Sequence, residues 1–311
     1  MANKSQEIIS EVKKVIVGKD DVIKKVLMAI LSRGHVLLKD IPGVGKTTMA
    51  LSFSRTLGID YQRIQCTPDT TPSDIIGYSF YQKGSDELVY KPGAVMCNLL
   101  LADEINRTST KTQSALLEVM EEGNVTIDGV TRPLPKPFAV IATQNPFGSA
   151  GTQLLPQSQL DRFAVCLEMG YPDFESHVNI LRERSSKQPL EEINQVVTGA
   201  EIIVMQNEVN DINMRDELFE YVTRLAEATR NCDEILLGIS PRGALSVVRM
   251  AKANAYVNER DYLVPQDIVD IFCDSAAHRI VISPKAKITG ITEKEIINRI
   301  LETTKTPQIT T

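Results

Sequence analysis

The run HVLLKDIPGVGKTT, residues 35–48, constrains this chain more than any other segment. An apolar strand enters a glycine-rich turn, and Lys46 and Thr47 then open a helix. Glycines let the backbone bend so that several amides point at one anion, and the helix N-terminus adds positive potential. The pattern is that of a polyphosphate cradle, with Lys46 directed at the β- and γ-phosphates and Thr47 at a magnesium ion. It departs from G-x-x-x-x-G-K-[ST] at one position, where Asp40 stands in place of the first glycine. The tight part, Pro42, Gly43, Val44, Gly45, Lys46, Thr47 and the following Thr48, is intact, so the loop is expected to close. A glycine turn that merely caps a helix is the plain alternative, and the strand before it speaks against that.

Around this loop the first half of the chain alternates short apolar runs with helical patterns, as a parallel α/β sheet requires. Strands are expected at His35–Lys39, Tyr61–Gln65, Asn98–Asp103, Phe138–Thr143 and Phe163–Glu168, with helices at Thr47–Leu57 and Thr110–Glu122. After about residue 175 the strand signals stop and only helices are expected. Ala200–Val209, Asp216–Arg230, Pro241–Asn258 and Pro265–Ile280 carry apolar residues at three- and four-residue spacing, two of them with proline at the favoured first position. The reading is an α/β nucleotide-binding domain over 1–185 followed by an all-helical lid over 186–311.

Three further segments carry chemistry. NLLLADEINR, residues 98–107, brings an acidic pair to the carboxyl end of a buried strand, where open α/β sheets bind ligands. Asp103 is the candidate magnesium ligand and Glu104 the candidate residue that aligns and polarises the attacking water. FAVIATQNP, residues 138–146, ends a buried strand in Thr143, Gln144 and Asn145, polar groups suited to a γ-phosphate or lytic water or simply to a turn. LPQSQLDRF, residues 155–163, sets Arg162 before another apolar strand; on local evidence alone it reads equally well as a solvated charge.

Composition narrows the classes. The net charge of −6 gives no electrostatic encouragement to nucleic-acid binding. Five cysteines without a Cys-x-x-Cys pair and three scattered histidines exclude a recognisable zinc signature and argue for free thiols. A polar N-terminus and the lack of any apolar run near ~20 residues lead to the expectation of a cytoplasmic protein without direct membrane insertion.

Taken in order, these segments resemble the MoxR family of AAA+ ATPases. The resemblance rests on LLLADEINRTSTKTQSALLEVMEEGNVTIDG (99–129), the spacing to ATQNP, LDRF, and SPRGALSVVRMAKANAYVNERDYLVPQDI (240–268), and it extends from about Ile16 to Thr304. It implies a P-loop AAA+ module with a parallel five-stranded sheet and a helical lid, ATP and Mg²⁺ as ligands, and a ring, most simply a hexamer. Asn145 would be the first sensor. Arg162 would be an arginine finger acting on ATP held by the neighbouring subunit. Arg242 would be a second sensor reaching the γ-phosphate from the lid, and Val17 and Gly18 would pack on the adenine. The family usually has glutamine where this chain has Lys19. A partner carrying a von Willebrand factor A domain is implied as client. GNVTIDGVTRPLP, about 123–136, reads as a β-hairpin turning at Asp128-Gly129; the resemblance aims it at a central pore, whereas a simple edge hairpin is the plain reading. Gly77–Gly93 is expected to be a mobile loop.

Other classes stay open on the sequence. A P-loop kinase would transfer phosphate to an acceptor, and a nucleic-acid motor would be stimulated by DNA in a salt-sensitive way. A GTPase is disfavoured by the lack of an Asn-Lys-x-Asp signature.

Overall fold

The computed structural model describes residues 3–41, 43–84, 87–145, 155–184 and 189–307. Two helices, α1 (Ser5–Lys13) and α2 (Asp20–Leu31), precede strand β1 (Val36–Lys39). Then follow α3 (Lys46–Leu57), β2 (Tyr61–Gln65), α4 (Pro72–Ile76), β3 (Gly77–Tyr81), β4 (Leu88–Pro92), β5 (Leu99–Asp103) and α5 (Thr110–Glu122). A hairpin of β6 (Asn124–Ile127) and β7 (Val130–Pro133) leads to β8 (Ala139–Gln144), α6 (Gln157–Leu160), β9 (Val165–Leu167) and α7 (Phe174–Arg184).

The five main strands form one parallel sheet in the order β2-β5-β8-β1-β9. The expected five-stranded parallel α/β architecture is therefore present. Parallel strands covered on both faces are apolar without alternation, and LLLA and AVIA in β5 and β8 meet that condition. Their alternate residues nevertheless face different cores. Val36, Leu38, Leu99, Leu101, Ala139 and Ile141 join one apolar cluster, and Leu37, Leu100, Ala102, Val140 and Ala142 join the other with Leu116, Leu117 and Phe163. Slipping one residue would exchange these sets, so the pairing Leu99↔Ala139 and Leu101↔Ile141 is fixed by both faces at once. Only β2, at the edge, exposes Gln62 and Arg63.

The helix ends are written in the sequence. Gly45 and Gly58 flank α3 in the left-handed region at φ 98° and 58°. Ser109 caps α5 by accepting from the Thr112 N–H, and Gly123 closes it at φ 65°.

Beyond residue 190 the chain forms α8 (Gly199–Asp211), α9 (Asp216–Arg230), β10 (Ile235–Leu237), α10 (Pro241–Val257), α11 (Pro265–Ala276), β11 (Val281–Ile282), α12 (Pro284–Ile288) and α13 (Glu293–Thr303). The expectation of helices only is corrected here: β10 and β11 pair antiparallel. At three and two residues they are too short to show a period. Gly77–Gly93 is likewise not a plain loop, because β3 and β4 pair along their whole length, Gly77 opposite Pro92 and Tyr81 opposite Leu88. The second hairpin turns at Asp128 and Gly129, both at positive φ, as a two-residue primed turn demands.

The late helices do not float free of the sheet. One continuous apolar cluster runs from Ile23 and Leu27 of α2 through Val165 and Leu167 of β9 to Val247, Met250, Ile268 and Phe272. Phe272 is buried to 1% exposure, so Phe272→Ala falls in the range of about 3–5 kcal/mol for such truncations. Among the described residues no helix is long and apolar enough to cross a membrane, and all five cysteines are free thiols.

Candidate nucleotide site

The carboxyl ends of β1, β5 and β8 bring the sequence motifs together. Gly43 and Gly45 turn the chain at φ 84° and 98°, and α3 begins with no side-chain cap and no acidic residue in its first turn. No side chain of the cap thus engages its first amide groups, which suits them to an anion. Lys46 is buried, and its ammonium donates to the carbonyls of Asp40 and Ile41, 3.0 Å each. Burial lowers its pKa, opposed by the carboxylates of Asp40, Asp103 and Glu104. Those acids are therefore electrostatic neighbours of the lysine. Thr47 and Thr48 are half-buried in the first turn of α3. Pro42 lies outside the described residues.

Asp40, which looked like a departure, has a structural task. It is 6% exposed, and its carboxylate accepts three backbone N–H bonds: Ile41 at 2.8 Å, Met169 at 2.6 Å and Gly170 at 2.8 Å. It ties the mouth of the phosphate loop to the chain leaving β9. Met169 in turn lines a cavity of about 240 Å³ with Val15, Ile16, Val17, Val44 and Tyr171. This apolar pocket adjoins Gly43 and Gly45 and has the character of a purine site. Val17 lies in its wall. Gly18 does not; it stands behind, at φ 72°, where a Cβ would come within 2.3 Å of the Ser176 hydroxyl, so it allows α7 to approach closely.

At the end of β5, Asp103 accepts from the Thr143 hydroxyl at 2.7 Å, and the same hydroxyl oxygen accepts the Glu104 N–H at 2.8 Å. Thr143, fully buried on β8, so holds both acidic residues in register. Glu104 has φ 57°, an uncommon conformation for a side chain of its size and of the kind that clusters at functional sites. Each acid also meets a cation that the sequence had not singled out. Arg63 pairs with Asp103 at 2.7 Å and Arg107 with Glu104 at 2.7 Å, while Gln65 donates to Glu104 at 3.3 Å. Asn145, half-buried, follows directly on β8 beside Gln144.

Among the described residues no group of three His, Cys, Asp or Glu side chains could chelate a metal alone. One carboxylate and one hydroxyl fit magnesium, which commonly takes its remaining ligands from phosphates and water.

Arg162 and Arg242 lie elsewhere. Arg162 precedes β9 and Arg242 opens α10, and both reach one carboxylate, that of Glu121, at 3.1 and 3.0 Å. This is the amino end of the strands, removed from the phosphate loop by the sheet itself, on the order of 10 Å for four residues. Arg242, opening α10, therefore stands apart from the phosphate loop of its own subunit. What anchors the start of its helix near Arg162 is Asp161, whose carboxylate accepts from the Ser240 hydroxyl at 2.8 Å and from buried Arg279 at 2.8 Å. Arg279 also donates to the Phe163 carbonyl at 2.7 Å. Arg33, Arg162, Arg242, Arg249 and Arg279 surround a cavity of about 360 Å³ with Glu121 and Asp161 as its acids.

A five-stranded parallel sheet with a phosphate loop, an acidic strand end and a helical lid defines an AAA+ ATPase. Comparison agrees: the pattern of the ATPase family associated with various cellular activities (AAA) matches residues 35–165, and that of the AAA lid domain matches residues 227–300. The uncharacterized protein YeaC of Bacillus subtilis is 44% identical over 96% of this chain and 93% of its own length. Chaperone MoxR1 of Mycobacterium tuberculosis is 39% identical over 98% of this chain and 82% of its own. A solved structure of a candidate ATPase from Cytophaga hutchinsonii superposes with a TM-score of 0.92 at 38% identity, covering 98% of this chain and 96% of the other. The chain belongs to the MoxR family of AAA+ ATPases.

Proposed function

We propose that this ATPase is magnesium-dependent and works as a ring, most simply a hexamer in the cytoplasm, that spends ATP on remodelling partner proteins. The observation that carries the ring is the meeting of Arg162 and Arg242 at the end of the sheet opposite the phosphate loop, with their charges turned to a common cavity. Two arginines so placed serve a phosphate only if another subunit brings it. The division into an α/β module over 1–185 and a lid over 186–311 belongs to the same proposal.

Within one subunit, Gly43, Val44, Gly45, Thr48 and the first amides of α3 hold the phosphates, Lys46 exchanges its loop carbonyls for the β- and γ-oxygens, and the Val17 wall accepts the adenine. Thr47 and Asp103 would hold Mg²⁺, which when bound would offset triphosphate charge. Glu104 orients the attacking water, and Asn145, directly after β8, would sense the γ-phosphate. The neighbour's Arg162 and Arg242 stabilise the charge that develops on transfer; a finger of this kind is worth ~10³–10⁵ in rate. The name of the Mycobacterium relative supports a chaperone role, and the family resemblance points to a client with a von Willebrand factor A domain.

The test mixes two inactive variants, Arg162→Ala and Glu104→Gln. The first has a sound phosphate site and the second sound arginines, so mixed particles should hydrolyse ATP where either alone does not. No recovery on mixing would contradict the proposal.

A further inference from the structure

The phosphate site accounts for the arginines but leaves Glu121 without a part. Its position is unfavourable for the helix that carries it. Glu121 and Glu122 occupy the last turn of α5, where the helix dipole disfavours anions and where no basic residue offsets them. That turn is nonetheless held firmly. His35, buried at the start of β1, contacts the Met120 carbonyl through Nε2 at 3.0 Å and accepts the Val140 N–H at Nδ1, also at 3.0 Å. With the residue before it pinned to two strands, Glu121 extends over the arginine cavity from a fixed point.

Its contacts there are selective. Oε2 lies 3.1 Å from Nε of Arg162, and Oε1 lies 3.0 Å from Nη1 of Arg242. These are ion pairs by distance; the Arg162 N–H is not aligned into a hydrogen bond. Among the described residues neither guanidinium spends its five-donor fork on a side-chain hydrogen bond to this carboxylate. The cavity's other acid, Asp161, is engaged by Arg279, so without Glu121 the two guanidinium groups, facing a cavity shared with Arg33 and Arg249, would repel one another uncompensated.

We propose that Glu121 is the positioning residue of the arginine pair: it converges Arg162 and Arg242 on one point and orients their free nitrogens toward the phosphate that a neighbouring subunit presents. It touches no reacting atom. The inference rests on the reading that these arginines act across a subunit boundary, and it adds the group that prepares them before the boundary forms.

The experiment measures ATP affinity, maximal rate and particle mass for Glu121→Gln, alone and in mixed assemblies. Alone, the variant should bind ATP as the unaltered chain does and assemble to the same mass. Its maximal rate should fall by roughly ten- to a hundredfold, the scale of a 1 Å misplacement. Glu121→Asp, which keeps the charge, should retain more of the rate. Mixed with Glu104→Gln, the Glu121→Gln subunits should regain activity, because the former present an intact pair; mixed with Arg162→Ala they should not. A wild-type or raised rate for Glu121→Gln would overturn the proposal. So would failure to regain activity with Glu104→Gln while Arg162→Ala does regain it, since Glu121 would then act within its own nucleotide site. If Arg162→Ala also fails to recover with Glu104→Gln, the trans reading falls and this proposal with it.

Discussion

Replacing Asp40 by Asn removes one charge and alters little else in shape, yet a large effect is expected. The carboxylate accepts from Ile41 on one oxygen and from Met169 and Gly170 on the other, and it is 6% exposed. An asparagine can turn its oxygen to the Met169 and Gly170 amides only by setting its NH₂ against the Ile41 N–H. Flipping it leaves two amides facing a donor. In either pose at least one buried donor loses its partner, at about 1–3 kcal/mol, and the remaining bonds lose their charge-assisted strength. The sum is on the order of 2–4 kcal/mol, or roughly 3–6 °C in Tm for a chain of 311 residues. Urea unfolding would measure it as a lowered midpoint with an unchanged slope. ATP affinity should fall as well, because the same carboxylate fixes Met169 in the wall of the proposed adenine pocket. A variant within 0.5 kcal/mol of the parent, a span roughly that of a neutral surface change, would refute the argument that Asp40 clamps the loop.

Two further outcomes are open to direct measurement. Burial holds the His35 pKa down at about 4, against an ordinary 6.5, and burial lowers that of His278 as well. Stability from the neutral His35 is therefore complete above pH 6.5 and lost as pH falls from 6.5 toward 4, amounting to about 2 kcal/mol between pH 6.5 and 5; melting curves across that window should show the decline, and His35→Gln should make it shallower, leaving the share of His278. Arg63→Ala removes a half-exposed cation paired with Asp103, the proposed magnesium ligand. An ion pair of that exposure is worth ~1 kcal/mol or less, so the magnesium concentration for half-maximal hydrolysis should drop by up to about fivefold in a metal titration.

The buried strands were legible because each is an apolar run that ends in the residues the chemistry needs: LLLA before Asp103, AVIA before Thr143. Asp128-Gly129 announced its hairpin in the same local way. What escaped reading depends on distance along the chain. The partners of Asp40 are Met169 and Gly170, 129 and 130 residues away. Arg242 joins Arg162 through Asp161 bonds to Ser240 and Arg279, separated by 79 and 118 residues. Arg63 and Arg107 look like ordinary surface charges until β2 lies beside β5. The β3–β4 hairpin was missed for another reason: Tyr78, Phe80 and Tyr81 are exposed, so the pair has no core face to impose alternation.

The central claim is that hydrolysis needs two subunits. Specific activity at saturating ATP and magnesium, followed as the protein is diluted while particle mass is recorded, tests it most directly. Activity per subunit should collapse as particles dissociate, toward a monomer slower by about 10³-fold or more. A monomer hydrolysing ATP at the undiluted rate would contradict the account.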